Sequence, residues 1–164
     1  PADTEPVAEL ARSVELDVSD GVVTVDGVDA TVEIRGPEVS RAVSLVATNP
    51  GVRDEMRTRQ RLWAHERGGG VIEGRDIGSV VFPDAVLKVY LTADPEIRAR
   101  RRAKEMTDID YDTVAADIAR RDAADQGRHE SPLVEADGAV NVDTSGLSIE
   151  GVVDLLTGLV EDRS

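Results

Sequence analysis

The stretch VIEGRDIGSVVFPDAVLKVYLTADPEIRARRR, residues 71–102, decides the fold. VIEG (71–74) predicts a short buried strand, and Arg75-Asp76 followed by Ile77-Gly78-Ser79 predicts a polar turn. VLKVYLT (86–92) predicts a second strand, and Asp94-Pro95 starts a helix that carries Arg98, Arg100, Arg101 and Arg102. A break near Thr107–Asp110 precedes a further helix from Tyr111 to about Gln126. AVNVD (139–143) predicts a third strand, and Ser148 caps a closing amphipathic helix bearing Ile149, Val152, Val153, Leu155, Leu156, Leu159 and Val160. Short apolar strands separated by helices indicate an α/β fold with a parallel sheet covered on both faces. In such sheets ligands sit at the carboxyl ends of the strands, and the Gly74-Arg75-Asp76 turn lies at such an end.

Upstream the pattern changes. EPVAELAR (5–12) has the look of a short helix end. Residues 14–35 predict a small antiparallel sheet: VELDV alternates, Asp20-Gly21 turns, VVTV follows, Asp26-Gly27 turns again, and ATVEI closes the run. Asp-Gly between alternating apolar runs is a hairpin signal, because both turn residues must adopt positive φ. Pro37 opens a helix with Val39, Val43, Leu45 and Val46 on its apolar face. Asn49-Pro50 sets a cap and a first helical position for the next, which runs to about Arg67 with Val52, Met56, Leu62 and Trp63 on one side. Gly68-Gly69-Gly70 stops it.

Composition excludes several classes. The 164 residues suit one domain or one core with a small appendage, and 40% hydrophobic content suffices for a core, built mainly of Val, Leu, Ile and Ala because aromatics are only 2%. With no cysteine there is no disulfide framework, thiolate metal site or cysteine nucleophile. His65 and His129 lie far apart in sequence, so no histidine-rich metal site is expected. No apolar run approaches the roughly 18 residues of a membrane span, and no signal peptide is evident, so a soluble cytoplasmic protein is expected. Net charge is −14, with the bases confined to the middle: residues 41–128 hold 16 bases against 15 acids, while residues 1–40 hold 2 against 10. Acidic flanks repel long phosphate backbones, which argues against nucleic-acid binding and leaves room for a small anion in a basic cleft.

The bases are 17 Arg and 2 Lys, and the arginines cluster. Gly68–Gly70 is a helix stop rather than a phosphate loop, since neither GxxxxGK[ST] nor GxGxxG occurs. Arg75-Asp76 reads either as surface charge or as recognition of a small polar anion, with arginine on a phosphate and aspartate on an amino group or hydroxyl. Arg98, Arg101 and Arg102 share one helix face; Arg121, Asp125 and Arg128 share another if their helix continues. Both helices read either as solvated and salt-bridged, or as a mobile lid that brings positive charge to transferring phosphoryl groups.

EIRGPEVSRAVSLVATNPGVRDEMRTRQR, the 71–102 stretch and RRDAADQGR before SPL together resemble bacterial cytidylate kinase, from the N-terminal region to the end of the chain. GRDIGSVVFPDA (74–85) and the R-x-x-x-D-x-x-R spacing at 121–128 carry the resemblance most specifically. It implies a nucleoside monophosphate kinase of the P-loop kind, with a monophosphate-binding region that carries a small antiparallel sheet, and a helical lid. The implied organisation is a monophosphate-binding region over 1–67 (sheet at about 14–35), core strands over 68–97, lid helices over 98–130, and a core strand with the C-terminal helix over 131–164. The implied reaction moves the γ-phosphoryl of ATP, with Mg2+, to CMP or dCMP.

By the same resemblance Ser44, Arg53 and Asp76 match positions that read the cytosine ring. A carboxylate suits the ring's amino donor, and arginine suits its acceptors. Arg75 and Arg128 match the arginines that hold the monophosphate, and Arg121 and Asp125 match the pair near the sugar hydroxyls. Arg98, Arg101 and Arg102 fall in the lid, where arginines approach ATP phosphates; the resemblance does not choose among the three. The family's first strand, phosphate loop and D-[ST]-G-x-x-[YF]-R segment have no counterpart, and Pro1 aligns after them. The sequence is therefore expected to be a C-terminal portion, inactive alone, that would pair with an N-terminal P-loop segment in a monomeric whole kinase. Rival expectations are a related kinase for UMP, dTMP or AMP, and a non-catalytic CMP-binding or partner-complementing module.

Overall fold

The computed structural model describes residues 4–19, 21–105, 110–127 and 133–163. It divides into two compact units, residues 1–70 and 71–164. Among the described residues no helix is long and apolar enough to cross a membrane.

The first unit contains helices α1 (Glu5–Ser13), α2 (Pro37–Val46) and α3 (Pro50–Glu66), and strands β1 (Leu16–Ser19), β2 (Val22–Val25) and β3 (Val28–Asp29). The strands form an antiparallel sheet in the order β1-β2-β3. Asp26 and Gly27 have φ of 49° and 76°, the two-residue turn that the sequence asks for between Val25 and Val28. The partners Leu16↔Val25, Val18↔Val23 and Val25↔Val28 put five apolar residues on one sheet face. The closing ATVEI strand is absent. Asp29 Oδ1 accepts from Thr31 N, Thr31 Oγ1 accepts from Val23 N, and a 3-10 turn over Glu33–Arg35 follows. This local Asx turn takes the backbone donors that a longer strand would have used.

Helices α1 and α3 pack through small residues. Ala8 and Val52 are buried, and a Cβ added to Gly51 would come within 2.6 Å of the Ala8 Cβ. Two side chains fasten the pair. Asn49 is buried; its Oδ1 accepts from Gly51 N and Val52 N at the start of α3, and its Nδ2 donates to Thr4 O before α1. Arg59 donates to Val14 O, Ala11 O and Arg12 O, placing a cation on the free carbonyls at the end of α1. Of the apolar residues expected on one side of α3, Val52 is buried, Met56 and Trp63 are half-buried, and Leu62 is exposed. Trp63 instead stacks with Arg67, 4.6 Å from the ring centroid, and closes over Gly70. The helix ends there, with Gly68, Gly69 and Gly70 all at positive φ.

The second unit is α/β. Strands β4 (Val89–Thr92) and β5 (Val140–Asp143) pair in parallel, in register Val89↔Val140 to Thr92↔Asp143. Helices α4 (Pro95–Glu105) and α5 (Tyr111–Gln126) lie between them in sequence, and α6 (Ile149–Glu161) follows. Val81, Ala99, Val114 and Val142 are its buried apolar residues. Asp110 caps α5 and Ser148 caps α6, each accepting from the backbone N–H three residues on. Residues 71–74 do not form the expected strand: they are irregular backbone, exposed but for half-buried Ile72, with Val71 93% accessible. Two apolar residues before Gly74 bury little, and β4 and β5 take each other as ladder partners. The second strand is also shorter than expected, starting at Val89 rather than Val86. Residues Ile77–Val81 wind into one turn of π-helix, where a plain turn was expected.

Candidate active site

The Gly74-Arg75-Asp76 turn leads into that π turn. The Asp76 carbonyl accepts from Val80 N at 2.9 Å and Val81 N at 3.2 Å, and Phe82 N donates to Ile77 O. A carbonyl shared by two amides fixes the backbone at Asp76, a use to which π turns are often put at functional positions. Ser79 Oγ reaches the same carbonyl at 3.4 Å. Asp76 is half-buried.

Arg75 is more exposed, and it reaches α5: its Nε lies 3.2 Å from Asp125 Oδ2. Asp125 is mostly buried, at 18% side-chain accessibility against 48% for Arg75. Arg121 stands one turn earlier on α5 and is also half-buried. The second unit therefore gathers Arg75 and Asp125 in contact, with Arg121 on the adjoining turn. Arg128 lies outside the described residues.

The three α4 arginines do not act as a set. Arg98 donates from Nε to Ala93 O and pairs through Nη1 with Asp122 on α5. Arg101 turns to the segment after β5: Nη1 donates to Thr144 Oγ1 at 3.0 Å, and Nη2 donates to Thr144 O at 2.6 Å and Leu147 O at 3.1 Å. Arg102 is exposed and also interacts. Arg100 and Arg120 form the exposed ion pairs expected of solvated helices, with Glu96 and Asp117. Around Arg101, the strand ends are tied by Thr144 N and Oγ1 donating to Thr92 O, and by Asp94 N donating to Ser145 Oγ. Asp143 accepts from Ser145 N and Oγ, which holds its carboxyl below the usual value of 3.8. The partners Asp122, Thr144 and Leu147 were not foreseen. The Asp143-Thr144-Ser145 sequence carries an Asx-turn signal that could have pointed to this loop.

In the first unit, Ser44 lies on the third turn of α2. Arg53 is half-buried on α3, and its Nη1 donates to Ala47 O at 3.3 Å, the residue that ends α2. Arg53 is thereby held at the C-terminal end of the helix that carries Ser44.

An α/β unit with parallel strands, paired arginine-bearing helices and an arginine turn, accompanied by a small antiparallel sheet with helices, has the architecture of the nucleoside monophosphate kinases. The family model for cytidylate kinase matches residues 1–162. A cytidylate kinase of Streptomyces avermitilis is 43% identical over 98% of this chain and 72% of its own length. One from Mycolicibacterium paratuberculosis is 46% identical over the full chain and 75% of its own length. A bifunctional pantoate ligase/cytidylate kinase of Synechococcus is 47% identical over 99% of this chain, which spans 35% of that longer protein. The chain belongs to the cytidylate kinase family.

Proposed function

We propose that the protein is a kinase of CMP and dCMP, working in the cytoplasm with ATP as donor and giving CDP or dCDP. The observation that carries this is the Arg75–Asp125 contact beside the fixed backbone of Asp76, in a chain of this family. Arg75 takes the acceptor phosphate. Asp76 accepts from the cytosine amino group and faces uracil unfavourably, where an oxygen replaces that donor. Ser44 and Arg53 are assigned to the same ring, Arg121 and Asp125 to the sugar, and Arg128 to the phosphate, each on the family pattern. The acceptor phosphate is its own nucleophile, so no side chain need act as a base. One of its oxygens bonds to the γ-phosphorus, the bond from that phosphorus to the β,γ-bridging oxygen breaks, and ADP departs with the electron pair. Arg75 serves by orienting the acceptor and offsetting its charge.

The 164 residues contain no GxxxxGK[ST], so the assigned roles are confined to the acceptor side. Among the described residues no three His, Asp or Glu side chains group to hold a divalent cation. Magnesium, which the family pairs with ATP, belongs to the donor side, and no step is routed through it.

The test is isothermal titration with CMP and with UMP, followed by coupled measurement of ADP release with CMP, dCMP, UMP, dTMP and AMP. CMP is expected to bind in preference to UMP. Equal affinity for the two, or no binding by a folded sample, overturns the reading. CMP binding without ADP release is the outcome expected of a portion that needs a P-loop segment, and it leaves the kinase reading standing.

A further inference from the structure

We propose that Asp125 is a positioning residue for Arg75: it holds the guanidinium by Nε and so presents the two terminal nitrogens to the acceptor phosphate. The inference rests on the CMP-kinase reading above for the identity of the ligand. Its structural half, the aiming of one side chain by another, stands independently of that reading.

The two residues sit on unlike supports. Arg75 projects from an exposed turn that follows residues 71–74, which pair with no strand among the described residues. An arginine on such a turn keeps most of its rotamer freedom, and a ligand that uses it must first order it. Asp125 belongs to the last turn of α5, a helix of 16 residues tied to α4 by the Arg98–Asp122 pair. Its own carbonyl is engaged by Leu133 N at 2.9 Å. The mostly buried carboxylate on the rigid element thus fixes the more exposed guanidinium on the loop.

The atom used matters. A guanidinium has five N–H groups in a planar fork, and the 3.2 Å contact is to Nε, the nitrogen nearest the chain. Nη1 and Nη2 make no hydrogen bond among the described residues, which leaves them for two parallel bonds to phosphate oxygens. An anion approaching side-on through Nε would meet the Asp125 carboxylate. The pair therefore admits a phosphate from one direction and removes the ordering cost before it arrives. A carboxylate this close also lowers the net positive charge. It is useful only if orientation outweighs that loss, and the comparison below measures which wins.

The discriminating ligands are CMP and cytidine, which share ring and sugar and differ in the phosphate. Asp125→Ala is expected to weaken CMP about tenfold more than it weakens cytidine, the difference being the effect of leaving one rotamer-rich side chain to be ordered by the phosphate. Asp125→Asn keeps an oxygen beside Nε without the charge and is expected to recover part of the loss. In an Arg75→Met background, Asp125→Ala is expected to weaken CMP no more than it weakens cytidine. Equal weakening of CMP and cytidine would assign Asp125 to the sugar alone and overturn the proposal, as would tighter CMP binding. A second measurement needs no ligand: the 15Nε–1Hε order parameter of Arg75 is expected to be high in the wild type, to fall in Asp125→Ala, and to be partly retained in Asp125→Asn. Equal disorder in wild type and Asp125→Ala overturns the aiming role even if CMP binds. Failure of CMP to bind while Arg75 stays ordered overturns the CMP reading and leaves the aiming intact.

Discussion

Arg101 is the residue for which the family pattern and the geometry make different demands. The pattern offers it to ATP phosphates, whereas the structure puts its guanidinium on Thr144 Oγ1, Thr144 O and Leu147 O. Replacing it with Met keeps most of the stem and deletes three hydrogen bonds. Charge-assisted bonds contribute roughly 1.5–3 kcal/mol each, but they do not add here. Thr144 O keeps Leu147 N as a donor, and the Thr144 hydroxyl keeps Thr92 O. Leu147 is only half-buried, so its carbonyl can turn to water. The unavoidable loss is one strong bond to Thr144, which is 6% accessible and cannot be rehydrated in place, less the rotamer entropy regained. We expect Arg101→Met to cost about 2 kcal/mol. With a urea slope of about 2 kcal/mol per molar, the midpoint falls by roughly 1 M. Arg101→Lys offers one point charge to three acceptors and recovers less than half of that. Arg100→Met on the same helix breaks only an exposed pair with Glu96, and its stability stays within about 0.5 kcal/mol of wild type. An Arg101→Met midpoint equal to that of Arg100→Met would refute the reasoning and return Arg101 to the phosphates.

Other outcomes follow from the same geometry. Gly51→Ala gains up to about 1 kcal/mol of helix propensity but drives a Cβ to 2.6 Å from that of Ala8. Overpacking of roughly 1–3 kcal/mol wins, and thermal melting shows net destabilisation. Asn49→Ala removes the α3 cap and the bond to Thr4 O together, so denaturant titration shows a loss of about 2 kcal/mol. Asp110 and Asp143 have carboxyls lowered by hydrogen bonds from Thr113 and Ser145, from a usual 3.8. Groups with a depressed folded value contribute stability that is complete above the unfolded value and lost as pH falls through the folded one. Urea midpoints are therefore expected to be flat from neutral pH down to about pH 5 on account of these two groups, and to decline below pH 4. Asp76→Asn turns an acceptor-only group into one that can also donate, and competitive titration is expected to show a smaller preference for CMP over UMP.

Local chemistry settled much of this protein in advance. Pro37, Asn49-Pro50 and Ser148 mark helix starts where the structure has them, because a cap and a fixed proline φ act within four residues. Asp26-Gly27 sets the β2–β3 turn for the same reason: its requirement for positive φ lies in the two residues themselves. Parallel pairing was legible in β4 and β5, whose apolar runs flank two helices in sequence. What failed needed a partner that the sequence does not name. Residues 71–74 look like a strand but have no ladder to join, and ATVEI spends its backbone donors on an Asx turn at Thr31 and a 3-10 turn behind it. The arginines illustrate the division most clearly. Their residue type and spacing left open both solvated, salt-bridged helices and anion handling, and spacing alone put Arg98, Arg101 and Arg102 on one face. Only the tertiary structure sends Arg98 to Asp122, Arg101 to Thr144 and Leu147, and Arg75 to Asp125, since a guanidinium at the end of a long flexible stem is directed by whichever carboxylate or carbonyl the fold brings within reach.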